Sequence, residues 1–300
     1  MADYQFITTE SLDDGAIVRI KLNRPKQRNA QNRGMLVELD RAFVAAEEDD
    51  TVRVIILGAE GPVFSAGHDT GSTQSMLEWM PGPDQHHSVS INGGTRLGPE
   101  KLYLQEWHYY FQNTRRWRDL RKITIAQVHG NVISAGLMLA WACDLIVAAE
   151  GTLFSDVVGQ RLGMCGVEYF AHPWEFGPRK TKELLLTGDS IDAEEAHRLG
   201  MVSKVFPADE LSDGALTLAR TIARLPTMAA LLAKESVNQS VDNMGFQNAL
   251  KACLSLHELN HAHWSTINED GFPGGRAQDG IQGPINAEKA AARGADGAGQ

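Results

Sequence analysis

The sequence predicts an α/β fold, and three kinds of segment lead to that prediction. Val18–Leu22 alternates apolar and polar residues, which is typical of a half-buried strand, and Leu36–Ala46 places apolar residues at helical spacing. A continuous run of β-branched residues follows in TVRVIIL, Thr51–Leu57. Such a run after a helix indicates a parallel strand covered on both faces. KITIAQV at Lys122–Val128 and DLIVAA at Asp144–Ala149 repeat the pattern.

The predicted helices differ in character. SAGLMLAWA at Ser134–Ala142 has no polar face, so we expect this helix to lie inside the fold. Asp192 with Glu195 three positions later is typical of a helix start. Helical patterns also cover Leu211–Leu225 and Gly245–Trp264.

The composition excludes several classes of protein. The chain has 300 residues, 43% of them hydrophobic and 22% charged, which indicates a globular protein. Its net charge of −10 argues against nonspecific nucleic-acid binding. The three cysteines are too scattered for a disulfide framework or a zinc site. The first residues, MADYQFITTE, contain neither a basic nor an apolar leader segment, and no apolar window has membrane-spanning length. We therefore expect a cytoplasmic protein without nucleic-acid or membrane partners.

The predicted organisation has three parts. Residues 1–200 form the core, which carries an insertion near 71–98 that is rich in Gly, Pro, Ser, His and Gln. Residues 201–268 form a helical C-terminal region. Residues 269–300 are dominated by Gly and Ala, lose apolar periodicity, and are predicted to be poorly ordered.

Two turns rich in small residues are candidates for a binding site. One ends the segment VIILGAEGPVFSAGHD, Val54–Asp69, and the other precedes the buried helix in Gln127–Ser155. Small residues allow backbone N–H groups to point at a ligand. If one N–H group from each turn converged on a point, the pair would form an oxyanion hole. Two purely structural turns are the alternative.

Five motifs occur in an order and spacing that resemble the crotonase (enoyl-CoA hydratase/isomerase) superfamily. The resemblance extends from about Phe6 to Trp264. The motifs are LNRPKQRNA at Leu22–Ala30, SAGHD at Ser65–Asp69, the glycine-containing segment Val128–Ala140, CDL at Cys143–Leu145, and LLLTGDSIDAEEAHRLGMVSKVFP at Leu184–Pro207.

The resemblance implies a specific architecture and substrate class. It implies a crotonase-like spiral of ββα repeats with a C-terminal helical oligomerisation region, assembled as a homotrimer or a dimer of trimers. It also implies an acyl-CoA substrate, with coenzyme A as part of the substrate and no tightly bound cofactor. The oxyanion donors would be the backbone N–H groups of His68 and Ala135. Ser134 and Ala135 replace two glycines of the family pattern.

The resemblance also suggests which residues contact coenzyme A. Lys26 and Arg28 are candidates for the phosphates, although two solvated side chains are the alternative. The remaining candidates lie at the end of the first motif and in the SAGHD turn: Ala30, Ser65, Ala66, Gly67 and Asp69.

The family pattern breaks at the acid–base residues. Met138 and Val158 align with the two glutamates that hydratases of the family use, and neither side chain transfers protons. Asp156 and Glu168 are the nearest carboxylates and are our catalytic candidates; salt-bridge roles are the alternative. Isomerase, decarboxylase or thioester hydrolase chemistry, or a non-catalytic CoA-binding subunit, therefore compete with hydration.

Histidines add two further hypotheses. The His68 ring is a candidate acid or base, or a contact for a substrate carboxylate; alternatively only its backbone matters. His257 and His261 lie on one helix face, as a metal pair requires, but no Glu or Cys has a spacing that completes a site. No metal site is predicted. An aromatic cluster is expected to line the acyl pocket or to pack the helix that carries it: Trp107, Tyr109, Tyr110, Phe111 and Trp117.

Overall fold

Two β-sheets organise the chain. The computed structural model describes residues 4–78 and 103–267. The strands in chain order are β1 Ile7–Leu12, β2 Ile17–Leu22, β3 Val54–Ala59, β4 Ile123–Val128, β5 Asn131–Ile133, β6 Leu145–Ala149, β7 Leu153–Ser155, β8 Ile191–Asp192 and β9 Lys204–Phe206. The larger sheet has the order β1-β2-β3-β4-β6-β9, in which only the β1–β2 pair is antiparallel.

The chain passes twice from the large sheet to a small one of order β5-β7-β8. It does so after β4 and again after β6, and β5 and β7 run parallel. The first crossing requires Gly130, whose φ is +61° and whose Cβ, if present, would lie 2.2 Å from the carbonyl oxygen of Pro62. These crossings produce the predicted spiral of ββα repeats.

Helices surround both sheets. They are α1 Arg33–Glu48, α2 Thr73–Glu78, α3 Asn113–Arg118, α4 Ala135–Trp141, α5 Val158–Leu162, α6 His172–Glu175, α7 Pro178–Thr187, α8 Ala193–Leu199, α9 Leu211–Ala223, α10 Thr227–Asn243 and α11 Phe246–Ile267. A π-helical segment, Glu106–Gln112, leads directly into α3.

The core lies on both faces of the large sheet, which explains the unbroken apolar runs. In β3, Val54 and Ile56 belong to the cluster beneath α9, while Ile55 and Leu57 belong to the larger cluster that includes α1 and α4. All seven residues of α4 are buried, as its composition predicts. The Asp192 side chain accepts a hydrogen bond of 2.8 Å from the Glu195 N–H and so caps α8, which confirms that start signal.

The structure also refines the predicted organisation. The large sheet continues past residue 200, since β9 is its last strand and α9 packs on it. Within the predicted insertion, α2 is held to the start of α1 because Glu78 accepts hydrogen bonds from Asn32 Nδ2 (2.6 Å) and Gly34 N–H (3.1 Å). The rest of the insertion, to residue 98, and the predicted tail at 269–300 lie outside the described residues.

The lengths and compositions of the helices bear on whether any of them could span a membrane. Across 4–78 and 103–267, no single helix is long and apolar enough to cross a bilayer. Helices α9 and α10 taken together have sufficient length and apolar composition, but the pair is bent by 107°.

Candidate active site

The two turns singled out in the sequence meet in the structure. A Cβ atom on Gly67 would lie 3.4 Å from the backbone nitrogen of Ala135 and 3.0 Å from the carbonyl oxygen of Ile133. Gly67 has φ +94°, a conformation that glycine adopts without strain. The glycine therefore permits the close contact that brings His68 beside the start of α4.

The first turn is held by its neighbour, the LNRPKQRNA segment. Gln31 N–H donates to the carbonyl oxygen of Gly67, and Asp69 N–H donates back to that of Gln31, at 2.8 and 2.9 Å. These two bonds flank His68 and leave its own N–H outside the pairing. Buried Asp69 forms an ion pair of 2.9 Å with buried Arg24, which anchors the end of the turn.

The second turn contains a strained residue. Ser134 has φ +49° and ψ −111°, a sparsely populated conformation for a residue with a side chain. Its N–H donates to the carbonyl oxygen of Ser155 (2.8 Å), and its Oγ accepts from the Val157 N–H (3.3 Å). Both bonds fix the peptide that precedes Ala135.

The two predicted oxyanion donors are unused by the fold. Among the described residues, neither the His68 N–H nor the Ala135 N–H donates a hydrogen bond to another protein group. His68 and Ala135 both line a cavity of about 430 Å³. Because buried backbone N–H groups are nearly always paired, two unpaired donors beside one cavity are suited to an external acceptor.

A carboxylate faces the same cavity. Glu168 Oε1 lies 3.6 Å from His68 Nδ1; the Glu168 side chain is buried, and that of His68 is 10% exposed. Within the described chain, Glu168 Oε2 has no hydrogen-bond partner. The His68 ring stacks on Tyr110, with ring centroids 3.5 Å apart. Burial, and then the charges of nearby carboxylates, raise the pKa of Tyr110 well above its usual value, so its phenol stays neutral.

Comparison with known proteins identifies the family of this chain. The sequence matches the enoyl-CoA hydratase/isomerase family over residues 13–266. The chain belongs to this family. It is 66% identical over 93% of its length to a Mycobacterium tuberculosis protein named "Putative enoyl-CoA hydratase EchA13", and covers 88% of that protein. It is 33% identical over 80% of its length to a protein of Rhizobium meliloti described as a probable enoyl-CoA hydratase, and covers 83% of it.

Solved structures agree with the crotonase-like fold. A probable enoyl-CoA hydratase from Mycobacterium smegmatis superposes with a TM-score of 0.78 at 41% identity, over 89% of this chain and 98% of the other. An enoyl-CoA hydratase/isomerase from Xanthobacter autotrophicus superposes with a TM-score of 0.75 at 28% identity, over 96% and 99%. The predicted superfamily and fold class are therefore confirmed.

Met138 and Val158, the residues expected at the two glutamate positions, lie in different surroundings. Met138 is buried in the main core, and Val158 contributes an apolar patch to the cavity wall. Of the aromatic cluster, Tyr110 lines the cavity, whereas Trp107 is 44% exposed. The other three members pack in the core: Tyr109, Phe111 and Trp117.

Asp156, one of the two catalytic candidates, does not reach the cavity. Its carboxylate lies 2.9 Å from His172 Nε2 and accepts hydrogen bonds from the N–H groups of Val158 and Val167, both at 3.1 Å. Burial favours its protonated form, but these hydrogen bonds and the charge of His172 lower the pKa of Asp156 overall. The structure therefore favours the alternative role for Asp156, an ion pair inside the fold. Because Val158 and Val167 line the cavity, Asp156 positions its wall.

The candidates for coenzyme A divide into three groups. Lys26 and Arg28 are exposed on a turn that contacts the SAGHD segment, since Ala66 N–H donates to the carbonyl oxygen of Arg28 at 3.0 Å. Ala66 lines the cavity, and Ala30 is half-buried at the end of the LNRPKQRNA segment. The other three are enclosed in the turn and support its shape: Ser65, Gly67 and Asp69.

Glu106, which the sequence analysis did not single out, also lines the cavity. Its carboxylate lies 3.0 Å from His261 Nε2 and 3.5 Å from His257 Nε2, and all three side chains line the cavity. Burial opposes ionisation, yet the two imidazoles lower the pKa of Glu106 to about 2. Burial likewise disfavours charge on His257, but its hydrogen-bond partners Cys165 and Glu106 and the charge of Glu168 raise its pKa well above the usual value.

Spacing along the chain offers no carboxylate partner for the histidine pair. The fold supplies one, because the π-helical segment brings Glu106 against α11. Segments of π-helix are frequent at functional sites, but the sequence carries no local signal for this one.

Proposed function

We propose that the chain binds an acyl-CoA thioester in this cavity, with the thioester oxygen between the backbone N–H groups of His68 and Ala135. The observation that carries the proposal is the pair of unused N–H donors beside the cavity, in a member of the enoyl-CoA hydratase/isomerase family. Donors placed in this way stabilise the negative charge that develops on the oxygen when a thioester becomes an enolate.

Glu168 is the group that moves the proton at the thioester α-carbon in this proposal. Among the described carboxylates that line the cavity, Glu106 is engaged by two imidazoles, whereas Glu168 keeps one oxygen without a partner. His68 lies against the other oxygen of Glu168 and holds that carboxylate beside the oxyanion donors. The His68 ring is therefore a positioning group, and its N–H is an oxyanion donor.

Two reactions compete for this site. The names of the similar proteins favour hydration of a 2-enoyl-CoA. Hydration needs one group to activate water and another to protonate carbon, whereas migration of a double bond needs a single base that removes and returns a proton. The single unpartnered carboxylate favours this isomerase chemistry as the second candidate.

The remaining predictions concern binding, assembly and location. Exposed Lys26 and Arg28 are suited to the phosphates of coenzyme A, since positive charge near the cavity attracts an anion to an acidic protein. A homotrimer or dimer of trimers would cover apolar side chains that α10 exposes: Met228, Leu232 and Val237. Large exposed apolar surfaces of this kind are typical of interfaces. The proposed location is the cytoplasm.

Incubation of the purified protein with crotonyl-CoA and with a 3-enoyl-CoA tests the proposal. Addition of one water to an intact thioester supports hydration. Conversion of the 3-enoyl to the 2-enoyl isomer without change of mass supports isomerisation. Free coenzyme A would indicate hydrolysis, and loss of carbon dioxide from a malonyl-type thioester would indicate decarboxylation. Binding without turnover of any of these thioesters would support a non-catalytic subunit.

A further inference from the structure

Three buried side chains from two separate elements place their ligand atoms together at the cavity. Glu106 comes from the π-helical segment, and His257 and His261 come from successive turns of α11. Each residue is less than a tenth exposed. The Nε2 atoms of the two histidines are 3.1 Å apart, and Glu106 Oε2 lies 3.0 Å from one and 3.5 Å from the other.

These three distances match those between ligands that share one metal ion. With bonds of about 2.1 Å, adjacent ligand atoms are about 3.0 Å apart in octahedral geometry and about 3.4 Å apart in tetrahedral geometry. The observed range of 3.0 to 3.5 Å covers both values. Two imidazole nitrogens and one carboxylate oxygen form a ligand set that suits zinc or ferrous iron.

The protonation of His257 is compatible with this role. Its Nδ1 lies 2.9 Å from the carbonyl oxygen of Gly166, which can only accept, so Nδ1 carries the proton. A metal ion would take the place of the proton on Nε2, whose lone pair would then face the ion. Metal-binding histidines usually donate their other ring nitrogen to a carbonyl or carboxylate in this way.

The surrounding charge also favours a cation. Glu168 Oε1 lies 3.7 Å from His257 Nε2, so two carboxylates, Glu106 and Glu168, border the same point. Buried charges are costly unless they are paired or coordinate a metal. A divalent ion with two neutral imidazoles would balance these two negative charges without a second proton on either ring.

We propose that Glu106, His257 and His261 form a binding site for one divalent transition-metal ion, with Glu168 beside it. The ion would connect the π-helical segment to α11 and would border the cavity that carries the oxyanion donors. This inference does not depend on the proposed acyl-CoA chemistry, because metal binding is measured without turnover.

Zinc binding by the full-length chain tests the proposal. Protein treated with a chelator and then dialysed is titrated with Zn²⁺ against a chromophoric chelator. Bound Co²⁺ is followed in parallel by its visible absorption. The variants are Glu106→Gln, which keeps the side-chain volume, and His261→Ala. His263→Ala is the matched control, because His263 is an exposed histidine on the same helix.

We expect one Zn²⁺ per chain, at least about 100-fold weaker binding in Glu106→Gln and His261→Ala, and unchanged affinity in His263→Ala. Circular dichroism shows whether each variant is folded. If His261→Ala is unfolded, the Zn²⁺ affinity of Glu106→Gln tests the proposal. The absence of stoichiometric binding, or a loss smaller than tenfold in the folded variants, would overturn the proposal and leave a hydrogen-bonded Glu–His network in its place.

Discussion

His68 Nδ1 and Glu168 Oε1 lie 3.6 Å apart on the wall of the cavity, although they are far apart in the chain. His68 belongs to the turn that would supply one of the proposed oxyanion donors, and Glu168 belongs to the loop between α5 and α6. Their contact places a carboxylate beside the position proposed for the thioester oxygen. The proposed acid–base role of Glu168 depends on this contact.

Glu168→Gln should lower kcat by about 10²- to 10⁴-fold, because an amide has nearly the same shape but cannot accept the α-proton. Turnover of the substrate identified with the two test thioesters is the measurement. Glu175→Gln is the matched control, since Glu175 is a partly buried glutamate that does not line the cavity. Equal kcat values for wild type and Glu168→Gln would show that another group moves the proton.

Ala135→Pro should lower kcat by about 10²- to 10³-fold, because proline removes one oxyanion N–H. Proline is tolerated at the first position of a helix, where Ala135 lies. Ala135→Gly keeps the N–H and should keep turnover within a few-fold. If a folded Ala135→Pro variant were as active as Ala135→Gly, this N–H could not be an oxyanion donor.

Replacing Lys26 or Arg28 by Ala should raise KM for acyl-CoA several-fold and leave KM for the corresponding acyl-pantetheine unchanged, because the truncated substrate lacks the nucleotide phosphates. The increase in KM for acyl-CoA should become smaller at high ionic strength, since exposed charges are screened. Lys182→Ala, which removes another exposed lysine, is the control. A parallel increase in KM for both substrates would argue against phosphate binding.

Asp156→Asn should destabilise the fold at neutral pH by about 3 to 5 kcal/mol, because it leaves buried His172 without its carboxylate partner. The folded pKa of Asp156 lies below its unfolded value. Its contribution is therefore fully present above the unfolded pKa and is lost as pH falls through the folded one. Denaturant unfolding at a series of acidic pH values should show the free energies of unfolding of wild type and Asp156→Asn converging below about pH 4. A constant difference would contradict this linkage.

Glu175→Gln should stabilise the protein at about pH 8 and leave it unchanged at about pH 4. Burial raises the pKa of Glu175 from 4.5 to about 7. Its ionisation therefore costs stability progressively between these values and fully above the higher one, and glutamine mimics the protonated form. The expected gain is roughly 1 to 3 kcal/mol at the higher pH, measured by denaturant unfolding. An equal gain at both pH values would point to packing instead of charge.

Local patterns determined much of the fold. Continuous β-branched runs identify β3, β4 and β6, because a strand that is covered on both faces needs apolar residues at every position. The apolar composition of α4 likewise requires a helix that is covered on all sides. The small residues around Gly67 and Ala135 mark the two turns that meet at the cavity, because the backbones there approach too closely for larger side chains.

Tertiary structure decided which carboxylates serve the site. The sequence places Asp156 and Glu168 on equal terms, but only the folded chain pairs Asp156 with His172 and leaves an oxygen of Glu168 unpartnered within the described residues. Sequence spacing also could not place Glu106 beside the two histidines of α11. Ionisable groups act through distances of a few ångströms, and those distances join segments that local hydrophobic patterns describe only one at a time.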